Sequence, residues 1–342
     1  MNIAITGGGT GGHLSIAKAI KEELNKRGFK PIFIGSSNGQ DKTWFEDDEG
    51  FSKKYFFKTG GVVNKGALGK VLSLLNILRY TLKCKSIFKK HNIDAVFSVG
   101  GYSAAPASFA SVLFKKDLYI HEQNAVIGTL NKLLKPRAKA FFSSYHDESP
   151  VKDYPVRDIF FQNARIRQKI KTVIFLGGSQ GATAINNFAM SISSLLKENN
   201  IKIIHQSGKR DYEKLKEFYK DHNIEVDLFD FTKELENKIK EADFAISRSG
   251  ASTMWELVAS LLPSLFIPYP YAAADHQYHN ALFLEQKRLC FLKRENELDI
   301  SIFDEILKSD ISKISLGLNN CIKQDGAKKI VDYIIEQNQR YI

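Results

Sequence analysis

Gly7-Gly8-Gly9-Thr10-Gly11-Gly12-His13 follows a short apolar run and precedes a helical pattern, so it reads as a turn between strand and helix. Its G-x-G-x-x-G spacing would let a phosphate or another anionic group lie on backbone N–H groups at a helix start. A dinucleotide site would also want an acidic residue at the end of the second strand, where Gly35-Ser36-Ser37 stands instead. No Lys-Ser/Thr pair follows the glycines, which excludes the Walker A loop. His13 lies one residue past the loop, where the helix dipole favours the neutral ring as a base or donor; capping the helix is the plainer alternative.

Gly177-Gly178-Ser179-Gln180-Gly181 satisfies the G-x-S-x-G pattern of a hydrolase elbow. A triad to serve it is missing: Asp243 begins a strand, and His276 and His279 belong to a cluster rich in Gln and Asn. The better reading is a second phosphate cradle, with Ser179 and the loop amides aimed at a diphosphate, beside the alternative of a structural tight turn. Arg248-Ser249-Gly250-Ala251-Ser252-Thr253-Met254-Trp255-Glu256 follows a strand and opens a helix, adding free amides and two hydroxyls. Glu256, one turn in, could accept two hydrogen bonds from a ribose diol or simply complete a capping box. Asp275-His276-Gln277-Tyr278-His279-Asn280 offers the planar donors and acceptors that a sugar's hydroxyls and acetamido group call for, unless it is only a polar loop.

These groups need a scaffold, and the chain supplies one twice. Asn2–Thr6, Pro31–Ile34, Asp94–Val99 and Asp117–Ile120 read as strands, the first, third and fourth running into Gly-rich or polar turns. Thr172–Leu176, Lys202–His205, Asp243–Ser247 and Pro263–Pro270 repeat the theme. Alternating strands and helices with glycine at strand ends predict an α/β fold of two doubly wound parallel sheets, with ligands beyond the carboxyl ends of the strands in a cleft between them. The 342 residues suit two domains. The expected division is 1–154, 155–325 and a final helix, 326–342, with Ser149–Gln168 as the linker.

Charge is uneven: residues 1–154 hold 23 basic and 13 acidic side chains, against 26 and 25 in 155–342. An anionic partner should therefore face the first half. Lys65–Lys90 carries seven basic residues, no acidic one and a run of leucines, which suits an anionic membrane surface and equally a solvated basic face over an ordinary core stripe. Nucleic acid is not expected, because aromatic interleaving stops at Tyr80 and Phe88 and no known module is present. Ala95–Phe114 is uncharged over 20 residues, but Gly100, Gly101, Pro106 and four serines point to strand, loop and helix rather than a membrane span. Cys84, Cys290 and Cys321 have neither metal-ligand nor disulfide-framework spacing, and with no secretory leader at Met1 a reducing cytoplasm is expected.

GGGTGGH, the GGY turn, HEQN at His121–Asn124, Pro155-Val156-Arg157, GGSQGA, RSGAST-x-x-E and D-x-Q-x-x-N appear in one order across the chain. In this the sequence resembles the MurG family, N-acetylglucosaminyltransferases of bacterial cell-wall synthesis. The resemblance implies the B-type glycosyltransferase fold, two Rossmann-like domains facing a cleft, with the donor UDP-GlcNAc on the second and the lipid acceptor, lipid I, on the first. It implies that Ser179 and the Ala251-Ser252-Thr253 helix start hold the diphosphate, that Arg157 helps neutralise it, and that Glu256 takes the ribose. Thr232 would stand by the uracil, Asn124 and Gln277 would read the GlcNAc, Thr10, Gly11 and Gly12 would line the reaction centre, and Tyr102 would bind substrate. His13 is the first candidate for the base and Glu122 the second. The last helix would return to the first domain. No cofactor or metal is expected, since no Asp-x-Asp stands at a strand end. The family's place is peripheral, at the cytoplasmic face of the inner membrane among the wall-building proteins. Two other classes remain to be separated: a non-catalytic nucleotide-sugar binder at the membrane, and an NAD(P)-dependent Rossmann enzyme.

Overall fold

The computed structural model describes residues 1–61, 66–178, 181–232 and 234–339. The chain divides into two compact units, Met1–Val156 with Asp325–Ile342, and Arg157–Gln324.

The first unit runs β1 (Ile3–Thr6), α1 (Gly11–Lys26), β2 (Ile32–Ser36), α2 (Asp41–Phe45), β3 (Lys53–Phe57), α3 (Ala67–Lys90), β4 (Ala95–Ser98), α4 (Ala105–Leu113), β5 (Asp117–His121), α5 (Thr129–Leu134) and β6 (Ala140–Phe142). The second runs α6 (Asp158–Gln162), β7 (Thr172–Leu176), α7 (Thr183–Glu198), β8 (Lys202–Gln206), α8 (Tyr212–Asp221), β9 (Val226–Phe229), α9 (Leu235–Glu241) and β10 (Phe244–Ser247). It continues with α10 (Ala251–Ala259), β11 (Ser264–Phe266), α11 (His276–Glu285), β12 (Phe291–Leu292), α12 (Ser301–Lys308) and α13 (Ile311–Leu318), before α14 (Gly326–Gln339) rejoins the first unit.

Each unit holds a six-stranded sheet, ordered β3-β2-β1-β4-β5-β6 and β12-β11-β10-β7-β8-β9, and all ten pairings are parallel. Helices cover both faces of such sheets, so the inner strands β1, β4, β7 and β10 are essentially buried throughout. The order reverses between β1 and β4 and again between β7 and β10, and each reversal opens a crevice at the carboxyl ends of the strands.

The uncharged stretch 95–114 is β4, a glycine turn and α4, and no helix among the described residues is long and apolar enough to cross a membrane. The stretch read as a linker holds the boundary between the units, after Val156, and is in part packed. It forms α6, whose Phe160 is buried, and delivers the fully buried Arg167 to the carbonyls of Ala242 and Ile239, each at 3.2 Å. Burial pushes the Arg167 guanidinium down to about 9. Polar composition marked a boundary here, while the backbone carbonyls that accept from Arg167 are invisible in the sequence. In α14, Ile330, Val331 and Ile334 are buried, Asp332 pairs with Arg27 of α1 at 2.6 Å, and Tyr333 meets Phe142 edge-on.

Candidate active site

In the first unit three neighbouring strands, β1, β4 and β5, each end in a loop that carries predicted site residues. The β1 loop climbs through Gly7, Gly8 and Gly9, all with φ above +80°, into Thr10 and α1. It packs backbone to backbone on the β4 turn: Gly8 N–H donates to Gly100 C=O at 3.2 Å, and a Cβ on Gly101 would fall on the Gly8 carbonyl. Gly9 N–H donates to the Asp41 carboxylate, whose other oxygen accepts from Ser36 N–H at 2.8 Å. Asp41 is fully buried, and burial raises its carboxyl above the usual range against the pull of those two N–H groups. The loop's own protein thus occupies the amides that the glycine pattern offered to a phosphate. The anion reading at Gly8 and Gly9 is corrected accordingly, and the α1 start from Gly11 onward is what remains.

His13 stands over the Gly100 turn. Thr10 Oγ1 lies 3.0 Å from its Nδ1, and Gln123 Nε2 lies 3.0 Å from its Nε2. A neutral ring protonated on Nδ1 donates to Thr10 and accepts from the Gln123 amide. Tyr102, from the β4 turn, donates its hydroxyl to Asn38 C=O and lays its ring against Gly9.

Glu122 is 3 % exposed, and three donors hold it: Asn124 N–H at 3.0 Å, Gly128 N–H at 2.9 Å and Asn131 Nδ2 at 2.8 Å. These bonds brace the loop that presents Asn124. Beside it, burial first and then the neighbouring imidazole of His13 push His121 down to about 3. Thr10, Gly11, Gly12, His13, Tyr102, Glu122 and Asn124 therefore come together, and Asp41, Gln123 and Asn131 join them unannounced. Gln123 was legible as a neighbour in HEQN; Asp41 lies beyond the strand end where an acid was sought.

In the second unit, Ser179 falls outside the described residues. The turn around it closes with Gly181 N–H on Gly178 C=O at 3.0 Å. Asp243 sits at the amino end of β10, away from the loops, and accepts from Lys171 N–H at 3.0 Å, Thr172 N–H at 3.1 Å and Arg165 at 2.7 Å. That placement excludes it from a hydrolase triad at the opposite end.

Gly250 is the N-cap of α10, and the N–H groups of Ala251 and Thr253 have no hydrogen-bond partner among the described residues. Ser249, fully buried, donates its hydroxyl to Gln277 C=O at 2.7 Å, and Asn280 Nδ2 donates to Ser249 C=O at 3.2 Å, so the α10 start and the α11 start form one piece. Gln277 Oε1 accepts from Tyr269 N–H at 3.0 Å, which aims its Nε2 donors away from the loop. Ala274 and Asp275, which lead into α11, both hold φ 51°, a strained value for residues with a Cβ. Arg248 is turned inward, with Nη1 on Ile267 C=O at 3.1 Å and Nη2 on Glu295.

Glu256 has its carboxyl pushed up to about 7 by burial, with Arg157 pulling it down and Glu236 pushing it up. Arg157, the N-cap residue of α6, lies over the Phe160 ring and pairs with Glu236 at 2.8 Å. Thr232 Oγ1 accepts from Glu234 N–H at 3.0 Å, so its hydroxyl shapes the turn before α9. No group of three or more His, Cys, Asp or Glu among the described residues is disposed to hold a metal.

Two wound sheets, each gathering its polar loops at the carboxyl ends of its strands, are the architecture of nucleotide-sugar transferases, and comparison with known proteins agrees. Residues 3–143 match the glycosyltransferase family 28 N-terminal domain and residues 172–334 its C-terminal domain. A relative from Campylobacter fetus is 52 % identical over 98 % of this chain and 100 % of its own. One from Campylobacter hominis is 55 % identical over 98 % of each. Both are named UDP-N-acetylglucosamine--N-acetylmuramyl-(pentapeptide) pyrophosphoryl-undecaprenol N-acetylglucosamine transferase. Among solved structures, Acinetobacter baumannii MurG superposes with a TM-score of 0.81 at 25 % identity over 98 % of this chain and 99 % of that one. The chain belongs to glycosyltransferase family 28 and, within it, to the family of these N-acetylglucosamine transferases.

Proposed function

We propose that the second unit holds UDP-GlcNAc and the first presents lipid I, for transfer of GlcNAc to the 4-hydroxyl of MurNAc, giving lipid II and UDP. One observation carries the donor half: the Ser249 hydroxyl on Gln277 C=O ties a helix start with open amides to the residue that reads the sugar. The diphosphate lies on Ala251, Ser252 and Thr253 with Ser179 and Arg157, where fixed dipoles act on the charge that grows as UDP leaves. Glu256 accepts the ribose hydroxyls, Thr232 borders the uracil through its backbone, and Gln277 and Asn124 read the GlcNAc.

The reaction is one in-line displacement. The acceptor hydroxyl displaces the Gln123 amide at His13 Nε2 and gives up its proton there. Its oxygen bonds C1 as the C1–O bond to the diphosphate breaks, and the anomeric centre inverts. Glu122 acts by bracing the Asn124 loop, while Thr10, Gly11, Gly12 and Tyr102 line the acceptor side. Labelled GlcNAc should pass from UDP-GlcNAc to a lipid I analogue in detergent with a chelator present. UDP-GlcNAc binding without transfer would overturn the catalytic reading in favour of a binding protein, and binding of NAD(H) but not of UDP would overturn both.

For lipid I to be reached, the first unit docks on the cytoplasmic face of the membrane through α3. Val71, Leu72, Leu74, Leu75, Leu78 and Leu82 are each more than half exposed. Contiguous apolar surface of this kind marks an interaction site. Beside it Lys85, Lys89, Lys115 and Lys116 rim a groove of about 480 Å³ with no acidic residue in its lining. Each cation adds ~1 kcal/mol at an anionic surface. Vesicles rich in anionic lipid should capture the protein at low salt and release it at high salt. Equal capture by neutral vesicles would remove the electrostatic part of this reading.

A further inference from the structure

The residue assigned to the diphosphate is already occupied. Arg157 Nη2 donates to Glu236 at 2.8 Å, with the arginine side chain 45 % exposed and the carboxylate 16 %. α6, α9 and α10 meet here, so that Glu256 feels the charges of both partners. Burial pulls the Glu236 carboxyl upward, but hydrogen bonds from its own backbone and from Arg157 outweigh it, and the group is held below the usual range. It is therefore an anion at the place where an anionic ligand must recruit the same guanidinium.

We propose that Glu236 is a stand-in for the donor diphosphate: it holds Arg157 in the empty site and opposes retention of the UDP product. The inference rests on the reading of Arg157 given above. When a diphosphate takes Arg157, Glu236 loses its counterion and faces a like charge. UDP ends in a phosphate monoester and carries about one more negative charge near pH 8 than UDP-GlcNAc, whose terminal phosphate is a diester. The opposition therefore falls harder on product than on donor. Glu236 acts through Arg157 and is a positioning residue.

The test is calorimetric titration of the full chain and of Glu236→Gln, Glu236→Ala and Arg157→Ala with UDP, UDP-GlcNAc and uridine, with thermal melting to check folding. Exposed pairs of this kind give about two- to fivefold effects. Glu236→Gln should bind UDP tighter by that factor, UDP-GlcNAc by less and uridine unchanged, and UDP should become a stronger product inhibitor relative to the donor KM. Arg157→Ala should weaken UDP and leave uridine alone. If Arg157→Ala leaves UDP unchanged, the diphosphate role of Arg157 is wrong and the stand-in goes with it. If it weakens UDP while Glu236→Gln and Glu236→Ala tighten nothing, or tighten uridine equally, the stand-in alone is overturned.

Discussion

Two strand-to-helix junctions at the sheet reversals, the β1–α1 loop and the α10 start after β10, are finished in opposite ways. In the first unit the Asp41 carboxylate and the Gly100 carbonyl occupy the Gly9 and Gly8 amides. In the second, the α10 start leaves the Ala251 and Thr253 amides without a partner among the described residues. A loop whose amides are satisfied internally is a rigid mount for side chains, here Thr10 and His13. A helix start whose amides are open is a receptor for an anion. A strand-to-helix junction at a sheet reversal can thus be closed as a mount or left open to an anion.

The largest effect that could break this comparison is His13→Ala. Transfer should fall by about 10²–10⁴-fold while calorimetric UDP affinity stays unchanged, and a parallel loss of UDP binding would mean that the first loop is also a donor receptor. Next comes pH. With Glu256 pushed up to about 7, the ionised form proposed to accept the ribose hydroxyls is depleted below neutrality. Donor affinity should weaken by up to about tenfold from pH 8 to pH 6, and Glu256→Gln should flatten the profile.

The sign for stability is the reverse. A folded-state carboxyl titrating above its unfolded value makes the ligand-free protein lose stability as pH rises from the unfolded range through about 7. Melting of Glu256→Gln should lack that slope. Smallest is Asp41→Ala, which leaves the Gly9 and Ser36 amides without their acceptor. It should cost about 1–3 kcal/mol, seen as a lower melting temperature and a raised acceptor KM with UDP affinity intact. A change in UDP affinity would blur the division of labour.

Much of this fold was legible because inner strands buried on both faces read as apolar runs ending in glycine. The outer strands did not. β3, β9 and β12 are only partly buried, so Lys53-Lys54-Tyr55 and Val226-Asp227-Leu228 lack the run. The residues that point into the site were legible from motifs, whereas those that hold them were not. Gly9 and Asp41 are 32 positions apart, Gln123 and His13 are 110 apart, and Arg157 and Glu236 are 79 apart. Bonds of that reach are made by the sheet, which brings distant loops to one end, and local spacing carries no trace of them. The polar stretch before β7 marked the boundary but hid its packing for a related reason, since Arg167 is polar in sequence yet buried by backbone acceptors from α9 and the strand start.

The helix that closes the chain belongs to the half that opens it. During synthesis, α1 and its neighbours emerge first, but the surface for Ile330, Val331 and Ile334 waits while Arg157–Gln324 are made. At ordinary elongation rates that wait is roughly 10–30 s. The first half therefore leaves the ribosome unfinished, with a greasy seam open, and is sealed only once Gly326–Gln339 has been made. A released chain cut short before Gly326 should have a later domain that resists protease while its earlier one is still cut.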